Sequence, residues 1–302
     1  MKNPGWIDLQ INGAAGVDFS DAALTEDGVM KVIDYVFNSG TERFLPTIVT
    51  SKPEIYKRNP ALIKRVVEKH GIMDRVPGIH FEGPFISPGA VGAHAPECLQ
   101  IPSAEKIHQL YEMSEGFFRM LTLGADVENA TEGISEARKM GIIVSIGHQM
   151  ATSEDVKKAA DAGAQTLTHL GNGIPNMINR HHNPIWAGLA EDRLTAMIIT
   201  DGHHLPLDVI KIFVRCKGAD RIIVTSDAIM AAGLPPGNYH TFGNDAVLEP
   251  NGKFWNPSKN CLVGSVSMMS QCMSILESLN ILTEEELVKV GRLNQLALLE
   301  GK

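Results

Sequence analysis

The sequence is poor in cysteine, in positive charge and in long apolar runs, and each shortage argues against a class of protein. Four cysteines occur in 302 residues, none in a C-x-x-C pair, so neither a zinc ribbon nor a dithiol redox site is expected. The 27 lysines and arginines are outnumbered by 35 aspartates and glutamates, so the basic footprint of a nucleic-acid-binding protein is lacking. No apolar run is long enough to cross a bilayer.

The first residues, MKNPGWIDLQING, have no apolar core of the kind found in signal peptides. Together with the scattered cysteines, this predicts a cytoplasmic protein with reduced thiols. We therefore expect a small molecule as partner, and neither nucleic acid nor a membrane.

Short apolar runs alternate with helical patterns over nearly the whole length. Eight runs are predicted to be strands: Trp6–Ile11, Phe44–Val49, Val76–Phe81, Met120–Gly124, Ile142–Ile146, Gln165–Leu167, Ala196–Ile199 and Ile222–Val224. Helices are predicted at Glu26–Phe37, Pro60–Lys69, Ala130–Met140, Ser153–Ala162, Leu207–Lys217, Ser267–Leu279 and Glu284–Leu299. This alternation is typical of an α/β protein whose parallel sheet closes into a (β/α)8 TIM barrel. Because such barrels commonly reach this length as one domain, we expect a single catalytic domain over residues 1–302.

Local signals mark where elements begin and where the pattern breaks. Ser153 precedes a run with acids in its first turn, and Thr283 with Glu286 forms a capping-box pattern. Residues 235–259 are rich in Gly, Pro and Asn, which favour turns. We expect this segment to be a long loop or a small hairpin outside the barrel.

Polar side chains follow most of the predicted strands. They are Gln10 and Asn12 after the first strand, Glu82 after the third, His148 after the fifth, His169 after the sixth, Asp201, His203 and His204 after the seventh, and Asp227 after the eighth. In a barrel, the ends of the strands meet at one face, where the chemistry takes place. So many polar residues at one rim are hard to explain by packing, and they predict an active site there.

Glu82, His148 and His169 together form a known catalytic zinc set, in which water takes the fourth position. The metal would offset the cost of a carboxylate at the end of an apolar strand. The alternatives are a salt bridge from Glu82 to a lysine or arginine, and histidines that only satisfy hydrogen bonds at the rim. Taken jointly, the three residues favour one divalent metal ion. Zn²⁺ suits the set best, although Fe²⁺, Co²⁺ and Mn²⁺ bind similar ligands.

Asp227 follows the last strand in the run VTSDA. Its functional interpretation is a general base and acid that faces the metal site. The alternative is a helix N-cap for the turn that follows. We favour catalysis because the aspartate reaches a rim that already holds a metal set.

Further residues at the rim are predicted to contact the substrate. His94 and His204 can hydrogen-bond a carbonyl and share charge that develops in the transition state. The backbone N–H groups of 172–173 (Asn172, Gly173) are placed to bind an anion or a sugar oxygen. Gly264 and Ser265 precede a predicted helix, where either an anion site or a plain serine cap is expected.

The order of these motifs resembles the N-acetylglucosamine-6-phosphate deacetylases of the amidohydrolase superfamily. The resemblance runs from about residue 5 to about residue 300 and is carried by GWIDLQINGAAGVDF, GIHFEGPFISPGAVGAH, SIGHQMATSEDVKKAADAGAQTLTHLGNG, ITDGHH, TSDAIMAAGLPPGNY and LVGSVSMM. It implies deacetylation of an N-acetylated amino sugar, with the zinc set as metal ligands and Asp227 as acid and base. It also implies that His94 lies beside the acetyl carbonyl, and that His204 and residues 172–173 lie near the sugar and its phosphate.

Many amidohydrolases carry His-x-His at the end of strand 1, where a second metal binds, but this chain has Gln10-Ile11-Asn12. Amides bind divalent metals poorly beside imidazole, so the resemblance implies one metal ion per subunit. The resemblance also implies a homodimer, in which an arginine of an Arg-Glu-Pro segment reaches the phosphate in the neighbouring subunit. Here the corresponding run is His182-Asn183-Pro184, so Arg180 or the two histidines, His181 and His182, would have to substitute for that arginine.

Two other departures concern the pocket and the domain organisation. The family has His-Leu-Phe-Asn-Ala-Met where this chain has HLGNGI at 169–174, and the family flanks its barrel with a small β-sandwich that we do not expect here. These departures keep other hypotheses open. One is an amidohydrolase that acts on an unphosphorylated N-acetyl sugar, another N-acyl compound or a cyclic amide, and another is a non-catalytic barrel that binds metal or sugar.

Overall fold

The computed structural model describes residues 3–301, and its main sheet contains eight parallel strands. The strands in chain order are β1 (Trp6–Ile11), β2 (Gly13–Ala14), β3 (Val17–Asp18), β4 (Thr41–Val49), β5 (Ile79–Glu82), β6 (Phe118–Leu123), β7 (Ile143–Ile146), β8 (Thr166–Leu167), β9 (Thr195–Ile198), β10 (Ile222–Val224), β11 (Gly237–Thr241), β12 (Asn244–Leu248), β13 (Phe254–Asn256) and β14 (Cys261–Leu262). Neighbours in the main sheet follow the order β1-β4-β5-β6-β7-β8-β9-β10. The predicted (β/α)8 TIM barrel is therefore confirmed.

Helices follow the barrel strands and cover the sheet from outside. They are α1 (Glu26–Asn38), α2 (Pro53–Lys69), α3 (Ala104–Met113), α4 (Ala130–Lys139), α5 (Ser153–Asp161), α6 (Pro184–Ala190), α7 (Leu207–Lys217), α8 (Met269–Ser278), α9 (Glu284–Val288) and α10 (Asn294–Glu300). The first helix shows why they form: the Thr25 side chain accepts a hydrogen bond from the Gly28 N–H, and Val29, Val32 and Val36 form a buried stripe at helical spacing. Burial of this stripe against the sheet fixes the helix in place.

Several helix predictions were wrong in detail. The second helix begins at Pro53, not Pro60, because proline at the first position needs no N–H partner. Thr152, not Ser153, caps α5, and its side chain and that of Asp155 form a reciprocal capping box. The predictions missed α3 and α6. The predicted helix 284–299 contains a π-helical stretch at 289–293, while its Thr283 capping box is confirmed.

The barrel interior is apolar at one end and polar at the other. Its apolar layer consists of Ile7, Leu9, Leu45, Met120, Ile143, Met197 and Ile223, closed by Leu299 from α10. Above it, the His80 imidazole contacts the Thr122 hydroxyl at 2.8 Å, and the Thr168 hydroxyl contacts Thr122 and Ser145. Because side chains two residues apart share one face of a strand, Glu82 lies directly above His80. The polar layer therefore supports the site.

The barrel closes between β10 and β1 through few contacts. Ile11 and Ala228 form a single parallel bridge, and the Asn12 N–H donates to the Ala228 carbonyl at 2.7 Å. The buried Asp8 carboxylate accepts hydrogen bonds from the Thr225 hydroxyl at 2.6 Å and from the Ser226 N–H at 3.2 Å. These contacts fix the end of β10 just before Asp227.

The segment predicted as a loop or hairpin, 235–259, lies within a four-stranded antiparallel sheet of β11 to β14. We call this sheet the inserted sheet. Its own apolar cluster includes Ala246, Leu248, Phe254 and Val263, and packs on Ile229 behind Asp227. The inserted sheet thereby lies over the carboxyl ends of the barrel strands. Among residues 3–301, the helices are too short or too polar to cross a membrane.

Candidate active site

Glu82, His148 and His169 converge at the centre of the barrel mouth. Oε1 of Glu82 lies 2.9 Å from Nε2 of His169 and 3.2 Å from Nε2 of His148, and the two Nε2 atoms are 3.1 Å apart. All three residues are buried, and one ligand atom from each lies within 4.8 Å of the others. Two imidazole nitrogens and a carboxylate oxygen aimed at one point form the donor set of a divalent metal site.

The tautomer of His148 fits metal binding. Its Nδ1 lies 2.9 Å from the Ala90 carbonyl oxygen, which can only accept a hydrogen bond. Nδ1 therefore carries a proton, and Nε2, which lies beside Glu82 and His169, is the nitrogen that can bind a metal. In the part of the chain that the structure describes, Glu82 forms ion pairs with histidines alone, which argues against the salt-bridge alternative.

Electrostatics keep Glu82 ionised. Burial alone would raise the pKa of this carboxyl group, but contacts with His148 and His169 outweigh burial and hold the pKa of Glu82 well below its usual value. Burial would lower the pKa of His169, yet its contact with Glu82 raises it instead. A concentrated negative charge among imidazoles is suited to a bound cation.

Three of the predicted site residues have backbones in the left-handed region. The φ angles are 48° at His148, 28° at His169 and 52° at Asp227, and none of these residues is glycine. Such backbones cost free energy for residues with a Cβ, and they cluster at functional sites. Here each one turns the chain off a strand end so that the side chain points into the barrel mouth.

Two glycines make room for the His148 ring. A Cβ on Gly173, whose φ is 63°, would lie 2.8 Å from Cε1 and Nδ1 of His148. A Cβ on Gly92 would lie 3.3 Å from the same Cε1 atom. Gly173 thus leaves space for the His148 ring, which its sequence position could not reveal.

Asp227 is held by the two strand-1 amides. Its Oδ1 accepts hydrogen bonds from Nε2 of Gln10 at 3.0 Å and from Nδ2 of Asn12 at 2.7 Å. Within residues 3–301, no hydrogen bond is found to Oδ2, so this oxygen is available for proton transfer. Burial, followed by the charge of Glu82, raises the pKa of Asp227 to about 7. An aspartate with this pKa can both accept and donate a proton near neutral pH.

His94 presents an N–H group to the same space. The Thr50 backbone N–H donates to Nδ1 of His94 at 3.3 Å, so Nδ1 carries the lone pair and Nε2 the proton. Nε2 lies 3.9 Å from Oε2 of Glu82, and the His94 and His148 ring centroids are 4.3 Å apart. Burial, aided by His148, lowers the pKa of His94 to about 3, so the ring is neutral. A neutral imidazole with its N–H beside the metal set can donate to a carbonyl oxygen.

Asp201 orients His204. Its Oδ2 lies 2.8 Å from Nδ1 of His204, and its Oδ1 accepts from the backbone N–H groups of His203 and His204 at 2.9 Å each. Burial would raise the pKa of Asp201, but these bonds outweigh burial and hold it well below its usual range. The carboxylate therefore fixes the proton on Nδ1 of His204.

A cavity of about 310 Å³ joins these groups. Its walls include Glu82, His94, His148, His169, His204, Asp227, Asn12, Asn172, Gly173 and Gly264, together with Phe242, Lys253 and Trp255 from the inserted sheet. The volume lies at the lower end of the range for small-molecule sites.

Comparison with known proteins identifies the family. The sequence pattern of the amidohydrolase family matches residues 1–283. The chain belongs to the amidohydrolase family.

Similar proteins include deacetylases of two amino-sugar phosphates. The chain is 33% identical to an N-acetylglucosamine-6-phosphate deacetylase of Danio rerio, over 98% of the chain and 74% of the relative. It is 28% identical to an N-acetylgalactosamine-6-phosphate deacetylase of Escherichia coli O157:H7, over 96% and 76%. A Mycobacterium smegmatis N-acetyl-D-glucosamine-6-phosphate deacetylase, solved with that sugar phosphate, superposes with a TM-score of 0.90 at 26% identity, covering 98% of this chain and 77% of the other.

In this amidohydrolase, three residues predicted to contact substrate do not line the cavity: Arg180, His182 and Ser265. The backbone N–H of His182 donates a hydrogen bond to Oδ1 of Asn179. The loop folded in this way leaves the His182 side chain exposed and outside the cavity. Ser265 is buried, and its hydroxyl donates to Oδ2 of Asp201 at 3.0 Å. Ser265 thus supports Asp201, while the neighbouring Gly264 does line the cavity.

Other site residues were missed by the sequence predictions. Thr50 sets the tautomer of His94, and Asp8 fixes the approach to Asp227. Thr50 directly follows β4, and Asp8 lies in β1. An isolated polar residue at such a place in an apolar strand could have indicated a role in the site. Lys253 lies in the turn-rich segment 235–259, where no local pattern connects it to the cavity of the amidohydrolase.

Proposed function

We propose that this protein is a metal-dependent deacetylase that hydrolyses N-acetylglucosamine-6-phosphate to glucosamine-6-phosphate and acetate. One observation carries the proposal: the ligand atoms of Glu82, His148 and His169 and the carboxylate of Asp227 open into one cavity. The relatives that act on amino-sugar phosphates support the choice of substrate.

The metal ligands in this proposal are Oε1 of Glu82 and Nε2 of His148 and His169. A divalent ion bound there supplies a Lewis acid for the amide carbonyl and lowers the pKa of water. Zn²⁺ is our choice because the set of one carboxylate and two imidazoles matches catalytic zinc sites. Gln10 and Asn12 are both engaged with Asp227, which favours one ion per subunit.

The chain's own groups then divide the work. Oδ2 of Asp227 accepts a proton from the attacking water and returns it to the amine nitrogen as the C–N bond breaks, so the carboxylate is regenerated. The N–H of His94 donates to the carbonyl oxygen as negative charge develops there. His204, held by Asp201, and the 172–173 backbone contact the sugar.

Location and assembly are further parts of the proposal. The cysteines of the described chain are free, which supports a cytoplasmic location. We also propose a homodimer, supported by apolar side chains on the loop before and within α6: Met177 is 88% exposed and Trp186 51% exposed. Light scattering that finds a monomer at micromolar concentration would remove the dimer.

A substrate panel tests the proposal. Metal-loaded protein would be assayed for acetate release from N-acetylglucosamine-6-phosphate, N-acetylgalactosamine-6-phosphate and both unphosphorylated sugars. We expect the highest kcat/KM on N-acetylglucosamine-6-phosphate. N-acetylgalactosamine-6-phosphate is the next candidate, because the E. coli relative is a deacetylase of that sugar phosphate. Highest activity on an unphosphorylated sugar or a cyclic amide would reject the substrate, and binding without turnover would indicate a non-catalytic barrel.

A further inference from the structure

The charged groups of the cavity are unevenly distributed. Both carboxylates in its wall, Glu82 and Asp227, lie at the end of the cavity where the proposed metal ligands converge. Lys253 is the one lysine or arginine in the wall among residues 3–301. The chain as a whole carries a net charge of −8, so an anionic substrate needs a local positive group to be bound.

Lys253 is held in place by its surroundings. Its Nζ lies 4.0 Å from the centroid of the Trp255 ring, a cation–π contact with a second cavity residue. No carboxylate lies within ion-pair distance of Lys253 in the described chain. The ammonium is therefore half-buried, oriented by an aromatic face, and available to a ligand.

Hydrogen bonds hold the turn that carries Lys253. The Glu249 N–H donates to the Lys253 carbonyl at 2.9 Å, and the Lys253 N–H donates to Oδ1 of Asn251 at 3.0 Å. Nε2 of His203 lies 3.0 Å from the Asn251 carbonyl oxygen. His203 thereby anchors this turn of the inserted sheet beside His204, a residue of the cavity wall.

Unpaired donors lie in the same wall. Nδ2 of Asn172 and Nε1 of Trp255 are buried, and no acceptor for them is found within the described residues. Unpaired buried N–H groups cost free energy, so a turn of either side chain toward an acceptor-rich ligand in the cavity would be favoured. A cation with an amide and an indole N–H donor forms a suitable set for phosphate oxygens.

The residues expected to bind phosphate lie elsewhere. Arg180 and His182 are both exposed, and neither lines the cavity of this chain. We propose that Lys253 binds the 6-phosphate of the substrate and makes the enzyme selective for the phosphorylated sugar. This inference rests on the proposed function and names the group of this subunit that would recognise the phosphate.

A set of three variants tests the role of Lys253. Lys253→Met removes the charge and keeps the aliphatic stem on Trp255, Lys253→Arg keeps a charge, and Lys259→Met is the control, because Lys259 is exposed and outside this cavity. Kinetics on N-acetylglucosamine-6-phosphate and N-acetylglucosamine would be measured for each. We expect Lys253→Met to lower the kcat/KM ratio of phosphorylated to free sugar by roughly 10- to 100-fold, mainly through KM. Lys253→Arg should retain most of the ratio, and Lys259→Met all of it.

A binding measurement separates this inference from the proposed reaction. Calorimetry with glucosamine-6-phosphate needs no turnover, and we expect Lys253→Met to weaken its binding by a similar factor. Equal binding by wild type and Lys253→Met, or an unchanged specificity ratio, would overturn the role of Lys253. A wild type that binds glucosamine-6-phosphate through Lys253 but releases no acetate would instead reject the proposed reaction alone.

Discussion

At the scale of single residues, the two carboxylate oxygens of Asp227 differ in their hydrogen-bond partners. Oδ1 accepts two amide hydrogen bonds, from Gln10 and Asn12, and Oδ2 accepts none in the described chain. The two amides thus orient the carboxylate.

Replacing Asp227 with asparagine should nearly abolish turnover and leave the metal bound. Asparagine cannot accept and return a proton, so we expect kcat to fall by about 10²- to 10⁴-fold. Acetate release would be measured beside metal content, with Asp192→Asn as an exposed control of the same chemistry. Full activity in metal-loaded Asp227→Asn would eliminate the acid–base role.

The activity should fall at acid pH because Asp227 must be ionised to accept a proton. Without a metal ion, burial and the charge of Glu82 raise its pKa from 3.8 to about 7. A cation near Glu82 works in the opposite direction, so kcat/KM should rise with pH through an inflection between these two values and level off above it. A kcat/KM profile that stays flat from neutral pH down to pH 3.8 would contradict a catalytic role for the ionised Asp227.

At the scale of elements, the turns after the strands determine the site. Gly173, in the loop after β8, has a φ of 63° and contacts the His148 ring from β7. Neighbouring loops therefore have to fit each other before the ligands can converge.

Gly173→Ala should weaken metal binding by roughly 10- to 100-fold, because the added Cβ would displace the His148 ring. Gly71→Ala is a matched control: its φ is 64°, but a Cβ there meets nothing within 4 Å. Both variants carry the same backbone strain, so only Gly173→Ala should lose metal in a chelator competition. Equal metal affinity in the two would show that the contact is unimportant.

The sequence predicted elements better than it predicted contacts between them. Apolar runs ending in Glu82, His148, His169 and Asp227 located the barrel strands and the rim, because strand periodicity and rim chemistry are local. Thr50 acts through His94, 44 residues away in sequence, and Lys253 belongs to the inserted sheet, which is built from turn-rich segments with little apolar patterning. These features depend on tertiary packing, so local patterns could not predict them.

At the scale of the whole molecule, the site joins the first and the last strand of the barrel. β1 supplies the amides, β10 leads to Asp227, and the inserted sheet covers the mouth of the barrel. A ligand that binds at this junction stabilises the barrel where its closure has few backbone contacts.

Removal of the metal should therefore lower the melting temperature. At a free metal concentration about 100 times Kd, binding contributes roughly 2.7 kcal/mol, which corresponds to a shift of about 5 °C in Tm. In the wild type, a chelator should lower Tm by this amount. In Glu82→Gln, which lacks the charged metal ligand, a chelator should change Tm little. An unchanged wild-type Tm, with metal loss verified by elemental analysis, would show that the site does not contribute to stability.

We propose that one metal ion, held by Glu82, His148 and His169, is sufficient for the reaction. The most direct measurement is a titration of metal-free protein with Zn²⁺ while acetate release from N-acetylglucosamine-6-phosphate is followed. Activity should rise linearly and stop rising at one equivalent per chain. Full activity without added metal, or a break at two equivalents, would contradict the single-metal account.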